Sequence, residues 1–115
     1  MKVKTYSSVP RPFPGAGVAD QMIDALYGGH VVDFMYDGKY RVGEVHAVGQ
    51  SATGKLVARV YQFDGRASRP LPQWTLFDLG KVELLEQKAV RSQAPREGYA
   101  EGDKQMPVVI AEIVL

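Results

Sequence analysis

After Gly28-Gly29 the spacing of apolar residues changes from helical to alternating, and the chain does not go back. Before the two glycines, Val18, Met22, Ile23 and Leu26 recur at helical intervals while Asp20, Gln21 and Asp24 face away, which predicts one helix over residues 18–27. Beyond them Val32, Phe34 and Tyr36 alternate with Val31, Asp33 and Met35, the pattern of a strand. Asp37-Gly38 then supplies a two-residue hairpin turn, because the favoured turn needs positive φ at both central residues. One helix followed only by short strands contains no βαβ unit, so a mainly β architecture is expected: a small barrel or rolled sheet of about five to six strands.

The return strand starts at Lys39 and reaches about Val48 with a conflict of phase. Tyr40 and Val42 share one face, Val45 and Ala47 the other, and a bulge at Gly43 would reconcile them. A third strand is expected over residues 55–63, then a pair over 74–79 and 81–86 joined at Gly80. Residues 94–107, with Pro95, Gly98, Gly102, Pro107 and alternating charges, read as a loop. The last strand, 108–115, is apolar on both faces, so it either closes a barrel or lies in a subunit interface. Residues 1–17 carry Pro10, Pro12, Pro14, Gly15 and Gly17 and read as an extended arm, leaving 18–115 as a single domain.

With 115 residues the chain can bury one core without staples, and with no cysteine it has none. Disulfides, thiolate chemistry and the usual Cys/His zinc sites are thereby excluded, and neither a signal peptide nor a membrane-spanning stretch is recognisable. A soluble, cytoplasmic protein without cofactor or metal is the expectation. Enzymatic motifs are scarce. No nucleophile elbow or Gly-rich phosphate loop occurs, and Gly15-Ala16-Gly17 lacks the preceding strand that a dinucleotide turn requires. Glu44 and His46, two apart in a strand, share a face, but a hydrogen-bonded strand histidine explains them better than acid–base catalysis, so no catalytic residue is assigned.

Charge is more informative. Between Gly38 and Lys81 stand seven cations, Lys39, Arg41, Lys55, Arg59, Arg66, Arg69 and Lys81, against three acids, a local charge of +4 in a chain whose total is +1. Tyr36, Tyr40, Tyr61 and Trp74 are interleaved with them. Guanidinium groups grip phosphate or carboxylate with a bidentate fork, and aromatic faces stack on bases. Arg59, in mid-strand between Val57 and Tyr61, must be paired or must project into a site, since leaving it buried alone costs several kcal/mol.

The order of signals from Met22 onward resembles the WYL domain, a small SH3-like (Sm-like) barrel of bacterial and phage transcription regulators. The residues that carry it are Val32-Asp33-Phe34-Met35-Tyr36-Asp37-Gly38, then Arg41-Val42-Gly43-Glu44-Val45-His46, Leu56 to Gln62, and Trp74 to Val82. The likeness covers residues 20–87, with Leu56-Val57-Ala58 at the naming tripeptide, Thr75 at the first arginine of the closing motif and Lys81 at the second. It implies an SH3-like barrel that binds a nucleotide or single-stranded nucleic acid through Arg41, His46, Arg59 and Tyr61, with Arg66 and Arg69 on the adjoining loop and Trp74 available for stacking. The arm is too short for the helix-turn-helix that precedes such barrels, so operator specificity would come from a regulatory protein partner.

Two readings follow. One is a non-enzymatic regulatory or accessory module that binds a phosphate-bearing ligand on a basic, aromatic-lined face. The alternative is a protein–protein interaction module or phage-type inhibitor, homodimeric through the C-terminal strand, whose apolar surface invites strand addition.

Overall fold

The computed structural model describes residues 1–115. Its elements are β1 (Lys2–Thr5), α1 (Ala16–Gly28), β2 (His30–Tyr36), β3 (Lys39–Gln50), β4 (Leu56–Gly65), β5 (Gln73–Asp78), a 3-10 turn (Leu79–Lys81), β6 (Glu83–Arg91) and β7 (Val108–Val114). The mainly β expectation holds, with one helix and a single seven-stranded antiparallel sheet. Helix α1 ends where Gly29 adopts the left-handed conformation and returns its N–H to Ala25, as a C-terminal glycine should. Its buried face is Ala19, Met22, Ala25 and Leu26, where small alanines let the helix lie close on the sheet.

Strand β3 organises the sheet. One edge pairs with β4 along residues 41–50, while the other pairs first with β2 (Lys39–Gly43) and then with β7 (Ala47–Gln50). Two strands sharing one edge of a third means that the sheet bends between them. The bend coincides with register shifts at Val42/Gly43 and at Val45/Ala47. The first is not the expected bulge in β3: its extra residue is Phe63 on β4, and β3 alternates unbroken from Arg41 to Val45, with Gly43 held small by the crossing strand, since a Cβ there would stand 2.6 Å from Val60 Cγ1 and 2.7 Å from the Tyr61 carbonyl. The second was not foreseen, and it turns Ala47 away from the face that Val45 occupies.

The sheet therefore has two covered faces. On the inner face Val32, Phe34, Val45, Val48, Leu56, Ala58, Val60, Phe77 and Ile113 form the main core with α1. Phe34 and Phe77 meet edge to face at its centre, each burial contributing about 1.5–3 kcal/mol. On the outer face Ala47, Val57 and Met106 form a smaller cluster with Leu76 and Val109. Segment 92–107, expected as a loop, covers this outer face as a strap.

Two expectations about the chain ends are corrected. The arm is not wholly outside the sheet: Lys2–Thr5 pairs with β7, Lys2 opposite Val114 and Thr5 opposite Ala111. Strand β7 consequently lies between β1 and β3, with Ile110–Ile113 buried and only Val108 left exposed, and β1 occupies the Ala111–Val114 part of the edge that strand addition would need. The strands with a single partner are β1, β5 and β6.

Candidate functional site

The expected site residues do not gather on one patch. His46, Arg59, Tyr61 and Trp74 project from the outer face, Arg41 from the inner face, and Arg66 and Arg69 stand exposed on the loop between β4 and β5. The division follows from pairing. Arg41 lies opposite Phe34 in the ladder and so shares the core's side, whereas Arg59 alternates with Ala58 and Val60 and points the other way.

The outer-face residues are the floor beneath the strap. Glu44, almost wholly buried, accepts from Arg96 Nε at 2.6 Å and from the Gln93 N–H at 2.6 Å. His46, 0% exposed, is held at both nitrogens: Nδ1 lies 2.9 Å from the Glu44 carbonyl, and Nε2 accepts the Arg96 N–H at 3.0 Å. That fixes one neutral tautomer, with the proton on Nδ1. Burial pushes the His46 pKa down to about 4. The ring stands edge-on to Trp74, 4.5 Å between centroids, and Trp74 is edge-on to Tyr61 at 5.1 Å. The Arg96 guanidinium caps Tyr61 at 4.9 Å. His46 is thus a structural residue of the strap's floor, closed to any ligand.

Arg59 takes the paired alternative. Its Nε and Nη2 reach Asp103 at 2.6 and 3.2 Å, and Nη2 donates to Gln105 Oε1 at 2.6 Å. Burial raises the Asp103 carboxyl, but hydrogen bonds from Arg59 and from the Gln105 N–H outweigh it and hold the group below its usual range. Tyr99 donates to the Ile113 carbonyl at 2.7 Å, and the Gly102 N–H donates to Glu112 at 2.9 Å, completing the anchorage. A cleft of about 380 Å³ remains beside Arg59, Trp74, Tyr99 and Lys104, with Glu101 and Asp103 balancing its cations. A phosphate entering there would have to displace Asp103.

Arg41 is the opposite case. It is only 7% exposed, its guanidinium lies 5.6 Å from the Tyr36 ring and 5.5 Å from the Phe77 ring, and none of the six ion pairs includes it. Its hydrogen bonds are long, 3.3 Å to Gln62 Oε1 and 3.5 Å to the Tyr36 carbonyl, and Nε has no partner. Two more unpartnered buried atoms, Gln73 Oε1 and Thr75 Oγ1, belong to residues directly opposite Gln62 and Val60 on the neighbouring strand, hence on this same inner face. Gln62 also donates to the carbonyls of Asp64 and Arg66 at 3.0 and 2.8 Å, which ties the loop bearing Arg66 to the residue that touches Arg41.

Sequence reasoning overlooked Arg96, Tyr99, Asp103 and Gln105. The available signal was the demand that Arg59 find an acid, which left residues 94–107 as one source. No three His, Cys, Asp or Glu side chains come together as a metal site, and no helix is long and apolar enough to cross a membrane. Comparison with protein-family models, with curated proteins and with solved structures found no match.

Proposed function

We propose that the chain is a non-enzymatic binding module that takes an anionic, phosphate-type group at the Arg41 end of the inner face. The observation that carries this reading is a buried guanidinium with no carboxylate beside it. Such a charge costs several kcal/mol of desolvation, which two long hydrogen bonds and the faces of Tyr36 and Phe77 repay only in part. An anion from outside would recover that cost, with Arg41 Nε as donor and the Thr75 hydroxyl free to turn toward the same oxygens. Arg66 and Arg69, exposed on the loop that Gln62 holds, would supply the outer contacts.

The anion-binding chemistry is the part of the WYL resemblance that this proposal keeps. It narrows the expected set to Arg41, Arg66 and Arg69, dropping Arg59 and His46, and it leaves Tyr61 and Trp74 out of stacking, since both lie on the strapped face. A salt series of fluorescence anisotropy with short single-stranded oligonucleotides, alongside thermal shifts with inorganic phosphate and nucleoside triphosphates, tests it. Binding should weaken as salt rises, and Arg41→Met should abolish it, while Arg66→Ala with Arg69→Ala should weaken it and flatten the salt slope. Binding that survives Arg41→Met, or that Arg59→Met removes instead, overturns the assignment.

A further inference from the structure

Strand β6 has one partner, β2, and its other edge runs free for nine residues, Glu83-Leu84-Leu85-Glu86-Gln87-Lys88-Ala89-Val90-Arg91. Leu84 and Val90 are 81% and 61% exposed, the most solvent-facing apolar side chains of the sheet. An edge like this templates a further strand unless something guards it. Charges are the usual guard, and here their order is informative.

We infer that β6 is a homodimer edge, pairing antiparallel with β6 of a second copy about a two-fold axis through Gln87. In that register Glu83 faces Arg91 of the second copy, Leu84 faces Val90, Leu85 faces Ala89, Glu86 faces Lys88 and Gln87 faces itself. Every charge meets its opposite and every apolar side chain meets another. No neighbouring register does so. Sliding by two residues sets Glu86 against Glu86 or Lys88 against Lys88, and a parallel in-register pairing sets each charge against its like. Glu86 and Lys88 already attract one another within the chain, 3.8 Å apart on one face, and the dimer repeats that contact across the axis. Strand β6 is not regular along this edge: it carries one extra residue against β2 between Glu83 and Glu86, where Leu84 takes φ 54°, and two between Gln87 and Arg91, so the regular pairing is centred on Glu86–Lys88 and the arms must adjust to meet. The contact is isologous and therefore closes at two copies. It uses neither Arg41 nor the strap, so it stands whatever becomes of the anion site.

The absence of cysteine makes the test clean. Directly opposed residues of an antiparallel pair have Cα atoms about 4.5–5.5 Å apart, within disulfide reach. Gln87→Cys should therefore oxidise to a covalent dimer, whereas Leu84→Cys and Val90→Cys should each form no covalent dimer alone and cross-link when mixed. In sedimentation equilibrium the unmodified chain should dimerise with rising concentration. Glu83→Arg and Arg91→Glu should each weaken the dimer by about tenfold or more, and the double swap should restore it to within about threefold. Both positions are exposed, and melting curves check that each variant folds. A chain that stays monomeric at the highest soluble concentration overturns the inference. So does a dimer indifferent to both charge reversals, or Gln87→Cys that cross-links no faster than Leu84→Cys.

Discussion

Arg41 and Arg59 sit on adjacent strands of one sheet and have opposite fates. Arg59 points outward, meets Asp103 and Gln105 from a distant part of the chain, and becomes a rivet of the strap. Arg41 points inward, lies over two aromatic rings and meets no acid. A guanidinium that the chain itself neutralises serves stability; one that the chain buries and leaves charged is a cost to the fold, and it is the better marker of a site. The residue that looked more functional by its position in mid-strand is thus the structural one.

The contrast can be broken or sharpened by measurement. The largest expected effect belongs to the outer face. Folded His46 titrates near pH 4 and an unfolded histidine near 6.5, so its contribution is complete above about pH 6.5 and is lost as pH falls toward 4. The loss reaches about 3 kcal/mol. Urea unfolding at pH 7 and pH 4.5, followed by the fluorescence of Trp74, should show that slope, and His46→Gln should flatten it. Protonation removes the acceptor that holds the Arg96 N–H, so the strap should loosen first.

Next is Arg59→Met, which strands the mostly covered Asp103 and should destabilise by about 2 kcal/mol in equilibrium unfolding, less than a fully buried pair because some water still reaches both groups. Arg41→Met should do the reverse: it replaces an unneutralised buried charge by an apolar chain of similar reach, so stability should hold or rise by about 1 kcal/mol while phosphate-dependent stabilisation disappears. Opposite signs for two Arg→Met changes in one sheet would establish the contrast, and equal destabilisation would erase it. The smallest effect is Arg11→Ala. Its ion pair with Asp20 is open to water, and the melting temperature should not move measurably.

The sequence discloses what depends on neighbours and hides what depends on distance. The period change after Gly28-Gly29 and the Asp37-Gly38 turn both act within a few residues, and each yields the right local structure, whereas the phase of β3 breaks at His46 and not at Gly43. The disjunction for Arg59, paired or in a site, was also legible. Which branch holds was not, because Asp103 is 44 positions away and reads as one more solvated charge in a glycine-rich loop. The same holds for Arg96, which reaches back 52 positions to Glu44. Strand β1 was missed because only Val3 of its four residues is even partly covered, leaving no alternation to detect. The opposite placement of Arg41 and Arg59 rests on a single bulge on the way from one to the other, Phe63 along β4 or His46 along β3, and composition records neither.

The ladder between Lys2 and Val114 brings the two ends of the polypeptide side by side. Lys2–Thr5 find their hydrogen bonds only with Ala111–Val114, the longest loop closure in the sheet, so this is the slowest contact to form and the natural place for the fold to fray. The same adjacency means that a short linker joining Leu115 to Met1, with new ends opened in the Ser51–Gly54 turn, should yield a permuted chain with the same architecture.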